Sequence, residues 1–266
     1  MAINWFQKKN MIKIFKYHNL FKKISFNDIY ALKGKVYRKF SSRETLQFSL
    51  ENESFFIKRF YGETLVSFIK NLFSFKKEFN NAYREYNAYK IFSKLGIKTP
   101  ELVAFGSENS FFNQRSFVIS RELKNIQQLD VFFVNSKYKT LALKYKAKIL
   151  KKIVEIINKM HMNKVIHYDL YLCHFLVDIN KLKKGTIKIY IIDFHRVEQM
   201  QRYSMSRLVK EIGAFFFSMQ QIGISFDDCY KLFRGMYEPA IGYASFYNKV
   251  LKRTIHLHKK YDRKFT

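Results

Sequence analysis

The sequence predicts an α+β fold of two lobes, the first rich in strands with one embedded helix and the second mostly helical. Three observations predict it. Apolar residues alternate at Leu46, Phe48 and Leu50, the period of a half-buried strand. From about 141 to 162, Leu141, Tyr145, Ile149, Ile153, Ile156 and Met160 recur at helical spacing, while Lys144, Lys148, Lys151 and Lys152 fall elsewhere on the turn. Strand patterns crowd the first half and helical patterns the second, a segregated order rather than a strand–helix alternation.

Residues 1–29 are basic and aromatic and carry no assignable pattern. Strands are expected across Gly34–Phe60, with a polar turn at Glu51-Asn52-Glu53-Ser54 and Phe55–Phe60 as the strand that follows. Residues 64–75 place Leu65, Phe68, Ile69, Leu72 and Phe73 on one helical face. A second helix spans 78–95 and is closed by Gly96, with Thr99-Pro100 beyond it. Strands follow at 101–106 and 116–121, then the long helix. Two short apolar segments, Phe175-Leu176-Val177 and Ile187–Ile192, flank a turn at Lys183-Lys184-Gly185. The remainder is helical and ends in a basic stretch, KVLKRTIHLHKKYDRK. The divisions are 1–29, a basic segment; 30–123, the strand-rich lobe; and 124–266, the helical lobe.

With 48% hydrophobic and 18% aromatic residues, the composition is that of a globular chain rather than a disordered one. There are 49 Lys and Arg against 21 Asp and Glu, a net charge of +28. Part of that excess reflects Lys-, Asn- and Ile-rich composition. That bias raises Glu together with Lys, however, and acids are scarce, so the surface is expected to meet anions. Cys173 and Cys229 stand far apart in no ligand-like spacing, which argues against a zinc site or disulfide framework and suits a reducing compartment. No apolar run approaches a membrane span, and the Lys-interrupted N-terminus lacks the apolar stretch of a signal peptide, so the expected location is the cytoplasm.

The chemistry resides in His167-Tyr168-Asp169, in a loop just after the long helix, and in Ile191-Ile192-Asp193-Phe194, at the end of a short apolar strand. Phosphoryl transfer needs one carboxylate to orient an attacking hydroxyl and another to hold the Mg²⁺ that bridges the phosphates. A protein-kinase-like fold supplies both, as H-R-D and D-F-G. Either motif alone is an ordinary loop carboxylate. Helix, H-x-D and a strand ending in Asp, 24 residues on, form a much rarer combination. Lys58 lies in an apolar strand, where an unpaired charge is costly. Glu85 lies 27 residues later on the embedded helix. The two suit an ATP-phosphate lysine and its partner. A G-x-G-x-x-G loop is absent; only Gly34, in LKGKVYRKF, falls where a phosphate-covering hairpin is expected. Glu122, at the end of the strand-rich lobe, is counted with the nucleotide-binding residues.

The segments HYDLYLCHFLVD and IYIIDFHRVE resemble the lipopolysaccharide core heptose kinases, whose catalytic loop reads H-R-D-x-Y-x-C-H-F-L and whose metal strand reads I-D-L-H-R. Asp169, Tyr171, Cys173, His174, Phe175, Asp193, His195 and Arg196 match. GKVYRKFSSRETLQF, FFIKRFYGETL, YREYNAYKIF and KEIGAFFFSMQQIGIS extend the likeness from about Gly34 to about Ser225. The resemblance implies a kinase-like fold that moves the ATP γ-phosphate to a hydroxyl of the first inner-core heptose. The acceptor is the lipid A–core intermediate, met at the cytoplasmic face of the inner membrane. It implies Asp169 as catalytic carboxylate, Asp193 as Mg²⁺ ligand, and Lys58 with Glu85 at the ATP phosphates. Tyr168 departs from the family's Arg. His174, where generic kinases carry Asn, is placed with the metal residues, although Mg²⁺ prefers oxygen and a hydrogen-bonding role serves equally.

The expected partners are the lipid acceptor and an anionic membrane surface, not nucleic acid. Residues 64–77 and the helix 249–264, with Lys252, Arg253, Lys259 and Lys260, are candidate docking faces. Competing readings keep the kinase but change the acceptor, to 3-deoxy-octulosonic acid or an aminoglycoside, or keep the fold as an inert basic scaffold. Cys-His-Phe after the catalytic Asp argues against the first, and retention of Lys58, Asp169 and Asp193 argues against the second.

Overall fold

A computed structural model of the protein describes residues 10–14, 21, 24–61, 82–108, 115–237 and 243–265. The expected helix at 64–75, and the docking face at 64–77, lie outside the described residues. The chain divides into two units, Met1–Ile91 with Pro100–Leu123, and Phe92–Thr99 with Lys124–Thr266.

The first unit is built on strands β1 (Asn10–Ile14), β2 (Lys35–Lys39), β3 (Arg43–Leu50), β4 (Glu53–Phe60), β5 (Leu102–Glu108) and β6 (Ser116–Arg121), with helices α1 (Phe26–Ala31) and α2 (Ala82–Lys94). The strands form one sheet in the order β1-β5-β6-β4-β3-β2, and every neighbouring pair is antiparallel. The expected alternation is observed. Leu46 and Phe48 of β3, with Phe55 and Ile57 of β4, bury one face against Phe21, Phe26 and Ile29. On the other face Tyr86 of α2 stacks on Phe105 of β5 at 4.6 Å, and the Ala82 N–H donates to Ser116 Oγ at 3.0 Å.

The turn between β3 and β4 is tighter than the expected four residues. Glu53 and Ser54 pair with Leu50 and Ser49, which leaves Glu51 and Asn52 to reverse the chain at φ 48° and 63°. Two consecutive left-handed residues match the right-handed strand twist in a two-residue hairpin. A buried ion pair ties α1 to this hairpin: Arg59 meets Glu44 at 3.2 Å, Tyr61 donates to the same carboxylate at 2.9 Å, and Arg59 also donates to the Leu32 carbonyl.

In the second unit, β7 (Ile126–Gln128) and α3 (Leu129–Val134) precede the long α4 (Lys139–Met162). There follow β8 (Val165–Ile166), β9 (Phe175–Asp178), α5 (Ile179–Lys183), β10 (Ile189–Ile191), β11 (Glu198–Gln199), α6 (Met205–Gln220), α7 (Phe226–Arg234) and α8 (Tyr243–Phe265). The stripe expected on α4 is buried at Tyr145, Ile149, Ile153, Ile156 and Met160. Strands β10-β9-β7 form one small antiparallel sheet and β11-β8 another. Helix α5 was not expected. Asp178 starts it by accepting the Lys181 N–H at 3.0 Å, and Gly185, at φ 82°, turns the chain just beyond it.

The basic C-terminal stretch is helical throughout its described length, but its cations are not equivalent. Helix α8 packs on α6 where Gly213 has no side chain: a Cβ there would lie 2.5 Å from Arg253 Cγ. Thr254, next to Arg253, donates to the Val250 carbonyl and reaches the Gly213 carbonyl at 3.3 Å. Arg253 is therefore part of the helix packing, while Lys252, Lys259 and Lys260 are exposed. This corrects the expectation that all four form a docking face.

Gly34 lies at the open end of the β2–β3 hairpin, not at its turn, which runs through Phe40, Ser41 and Ser42. A Cβ at Gly34 would overlap the Gln47 carbonyl oxygen, so close backbone approach accounts for the glycine. Gly34→Ala should cost ~1–3 kcal/mol, the usual range for overpacking. Urea unfolding measures it against Gly235→Ala, whose Cβ would be 3.9 Å from its nearest neighbour and should leave the midpoint near wild type.

Candidate active site

Lys58 alternates away from Phe55, Ile57 and Arg59 on β4, so it leaves the core face of the sheet. Its Nζ meets Glu85 Oε1 at 2.9 Å, with Glu85 almost fully buried and Lys58 a quarter exposed. Glu85 Oε2 is buried without a hydrogen bond among the described residues. A carboxylate placed so deeply and satisfied on one side is held for position; removal of either partner would strand the other's charge. The structure thus brings together the two residues expected to pair. Gly34 and Glu122 take no part in that pair. Glu122 follows β6 directly, and its N–H donates to the Ser54 carbonyl at 2.9 Å.

In the second unit the loop after β8 carries His167, Tyr168 and Asp169, and the chain after β10 carries Asp193, His195 and Arg196. His195 bridges the two acids: Nδ1 is 2.7 Å from Asp193 Oδ1, and Nε2 is 3.7 Å from Asp169 Oδ2. His174 lies beside both residues, with Nδ1 donating to the Asp169 carbonyl at 2.5 Å and Nε2 3.7 Å from Asp193 Oδ2. Arg196 Nη1 donates to Asp169 Oδ1 at 2.9 Å. The expected Asp169, Asp193 and His174 are therefore assembled in one cluster. His195 and Arg196, which sequence reasoning noted only as matches, join it.

Two residues of this cluster hold left-handed backbone, Tyr168 at φ 66° and Asp193 at φ 67°. For a non-glycine residue such a conformation costs on the order of 1–3 kcal/mol and persists only where the surroundings fix it. At Tyr168 they do. Its N–H donates to Glu211 Oε2 at 2.6 Å and its hydroxyl to Glu198 Oε2 at 2.9 Å. Burial and the Glu198 carboxylate push that phenol up to about 12. Arg196 and Arg207 lie over the ring at 5.7 and 5.8 Å, so the tyrosine gathers two cations where the family's arginine would bring one.

Glu211 is buried in α6, and its second oxygen meets His161 Nε2 at 2.8 Å, while His161 Nδ1 meets the Tyr237 hydroxyl at 2.6 Å. Sequence reasoning did not single out this relay, although an acid beside Ile212 and Phe215 in an apolar helix is a signal for it. His167 is fully buried, bonded through Nε2 to the Ile192 carbonyl at 2.9 Å, and packed edge-on to Phe194. Phe194 also packs on Phe92 at 4.9 Å. Cys173 is a free thiol pushed up to about 11, first by burial and then by Asp130, which suits a packing role.

Comparison with known proteins follows the same lines. A model of the lipopolysaccharide kinase (Kdo/WaaP) family matches residues 27–235. The lipopolysaccharide core heptose(I) kinase WaaP of Escherichia coli is 29% identical over 211 residues, 79% of this chain and 80% of that protein. The Pseudomonas aeruginosa kinase of the same name is 28% identical over 211 residues, 79% of each chain. A solved structure, WaaP in complex with acyl carrier protein, superposes with a TM-score of 0.69 at 23% identity, covering 96% of this chain and 97% of that one.

Burial lowers the His167 imidazole from its ordinary 6.5 to about 4, because the charged form loses its water. Protonation therefore favours the unfolded chain. The contribution is complete above about pH 6.5 and is lost as pH falls toward 4, on the order of 3 kcal/mol in all. Denaturant titrations across that window should show the acid loss of stability in wild type and a shallower one in His167→Gln.

Proposed function

The chain belongs to the lipopolysaccharide kinase (Kdo/WaaP) family, and from that premise we propose that it transfers the γ-phosphoryl group of ATP to a hydroxyl of the first heptose of the lipopolysaccharide inner core. The observation that carries the chemistry is the pair of carboxylates, Asp169 and Asp193, linked through His195. The choice of heptose rests on the named relatives, each a heptose(I) kinase. The family description also contains Kdo, so a 3-deoxy-octulosonic acid acceptor is the second reading.

Asp169 is assigned the acceptor hydroxyl, whose proton it takes as the oxygen attacks. Lys58, fixed by Glu85, is assigned the ATP phosphates, and Glu122 a nucleotide contact. The Phe40–Ser42 turn, rather than Gly34, is the part of the first hairpin suited to lie over phosphate. The donor set fits Mg²⁺. That ion takes one or two carboxylates together with substrate phosphates rather than an all-protein cage. Among the described residues no three His, Cys, Asp or Glu side chains converge as a cage. When bound at Asp193, Mg²⁺ would neutralise charge across the β- and γ-phosphates. His174 is assigned to hold the Asp169 carbonyl through Nδ1, and its Nε2, beside Asp193, would help hold the metal residue in place.

The reaction is proposed to occur at the cytoplasmic face of the inner membrane. None of the helices among the described residues is long and apolar enough to cross a membrane. Helix α8 instead exposes Leu251 and Ile255 among Lys252, Lys259 and Lys260, an amphipathic basic face suited to anionic lipid. A further partner, which the sequence did not suggest, is acyl carrier protein. It is named in the solved relative's complex, and co-purification with tagged acyl carrier protein tests it here.

Purified protein with Mg·ATP should phosphorylate a lipid A–core acceptor on heptose, read by tandem mass spectrometry; phosphate found on 3-deoxy-octulosonic acid would select the second reading. Asp169→Asn should lower turnover by ~10²–10⁴-fold, the usual contribution of a general base. Asp193→Ala should weaken Mg·ATP binding in calorimetry while leaving lipid binding intact, and unchanged affinity would remove Asp193 from the metal site. Neutralising Lys252, Lys259 and Lys260, with Arg253 left in place, should raise the acceptor KM more than the ATP KM. The effect should shrink at high salt, where exposed charges are screened within ~8 Å or less.

A further inference from the structure

Phosphoryl transfer leaves little covalent work for a protein. Its task is to place charge where the three equatorial oxygens of the moving group carry it. A cation must therefore stand close to the carboxylate that receives the hydroxyl. Between Asp169 and Asp178 the chain contains no Lys or Arg. The cation that touches Asp169 comes from 27 residues further on, as Arg196, at 2.9 Å.

Stability does not account for this contact. The Arg196 side chain is 48% exposed, and exposed ion pairs contribute little to folding. The guanidinium is nonetheless carefully placed. It lies 5.7 Å over the Tyr168 ring, and that ring is held by Glu198, which also binds Arg207 at 3.0 Å. The Tyr168 backbone is fixed in turn by buried Glu211. A planar five-donor fork with one nitrogen on Asp169 keeps other N–H groups for phosphate oxygens, a geometry that lysine lacks.

We propose that Arg196 is a catalytic residue, the arginine that stabilises the phosphoryl group in flight, seated on the Tyr168 ring and held at Asp169 until substrate arrives. The inference rests on the phosphotransfer reading of Asp169. In the step, the acceptor oxygen bonds to the γ-phosphorus. The bond from that phosphorus to the β–γ bridging oxygen breaks, with its electron pair leaving on ADP. The hydroxyl proton passes to Asp169 and then to solvent. Arg196 forms no covalent bond and keeps its protons throughout. Its share is to neutralise the equatorial oxygens, as an arginine supplied in cis does in other phosphoryl-transfer enzymes.

The experiment compares wild type, Arg196→Ala, Arg196→Lys and Tyr168→Ala in two assays, transfer to lipid A–core and hydrolysis of ATP with water as acceptor. Arg196→Ala should lose ~10³-fold in kcat in both, the lower end of what such an arginine contributes, with Mg·ATP affinity and the thermal midpoint unchanged. Arg196→Lys should recover part of the loss. Added guanidinium ion at millimolar concentration should rescue Arg196→Ala and not wild type. Tyr168→Ala should fall between wild type and Arg196→Ala. A loss below about tenfold, a loss without guanidinium rescue, or an equal loss of Mg·ATP affinity overturns the assignment. If wild type hydrolyses ATP but transfers nothing to lipid A–core, the acceptor is wrong, and Arg196 is judged on hydrolysis alone. If wild type does neither, both readings fall.

Discussion

A carboxylate inside a helical core is costly to desolvate, and Glu211 is tolerated because each of its oxygens has a donor within 2.8 Å. One of those donors is the N–H of Tyr168, the residue just before Asp169 and one of two in the cluster with left-handed backbone. The other is His161, braced by Tyr237 from the far side. Without that anchor nothing in the loop sequence would keep a bulky side chain at φ 66°. The direction of the chain at Asp169, and with it the reach to His195 and Arg196, follows from the buried side chain of Glu211.

The cluster built on that anchor is a balance of charge rather than a pocket of one sign. Asp169 and Asp193 share their site with two basic side chains, His195 and Arg196. His195 Nδ1 is hydrogen-bonded to Asp193 Oδ1, and Arg196 brings a permanent cation to Asp169. In the first unit the same logic holds with a single pair, Lys58 and Glu85, where a buried acid keeps a strand lysine in a fixed place. Each of these charges is thus paired and oriented within its own unit.

How much of this was legible in the sequence depended on whether the signal was local. Alternation at Leu46 and Phe48 and the stripe on α4 are short-range patterns that the structure bears out, while the short apolar strand before Asp193 ends at Ile191. Lys58 and Glu85 were paired from the sequence because a lysine in an apolar strand needs a partner. An acid in the apolar helix α6 marks Glu211 as buried, but its partner, a backbone N–H some forty residues away, leaves no trace in side-chain types. Gly34 is likewise constrained by a contact outside its own stretch of sequence. A lone glycine reads as a turn, whereas here the constraint is the Gln47 carbonyl of the neighbouring strand. Arg253 misled because charge in a basic run reads as surface, and only Gly213 on the facing helix shows that this one is packed.

Tyr168 shows how a departure from a family motif changes what holds the neighbouring cations. An arginine at that position would bring its own cation to the loop. The tyrosine has none, yet its ring face attracts Arg196 and Arg207, and its hydroxyl binds the Glu198 that also holds Arg207. Aromatic faces draw guanidinium through the ring quadrupole, and the attraction strengthens where water is partly excluded. The exchange therefore removes the loop's own cation and leaves Arg196, which the family motif also carries, seated on the ring. That neighbour is bonded to Asp169, so a cation stands on the carboxylate side of the loop, where the phosphoryl group must pass if Asp169 takes the hydroxyl proton.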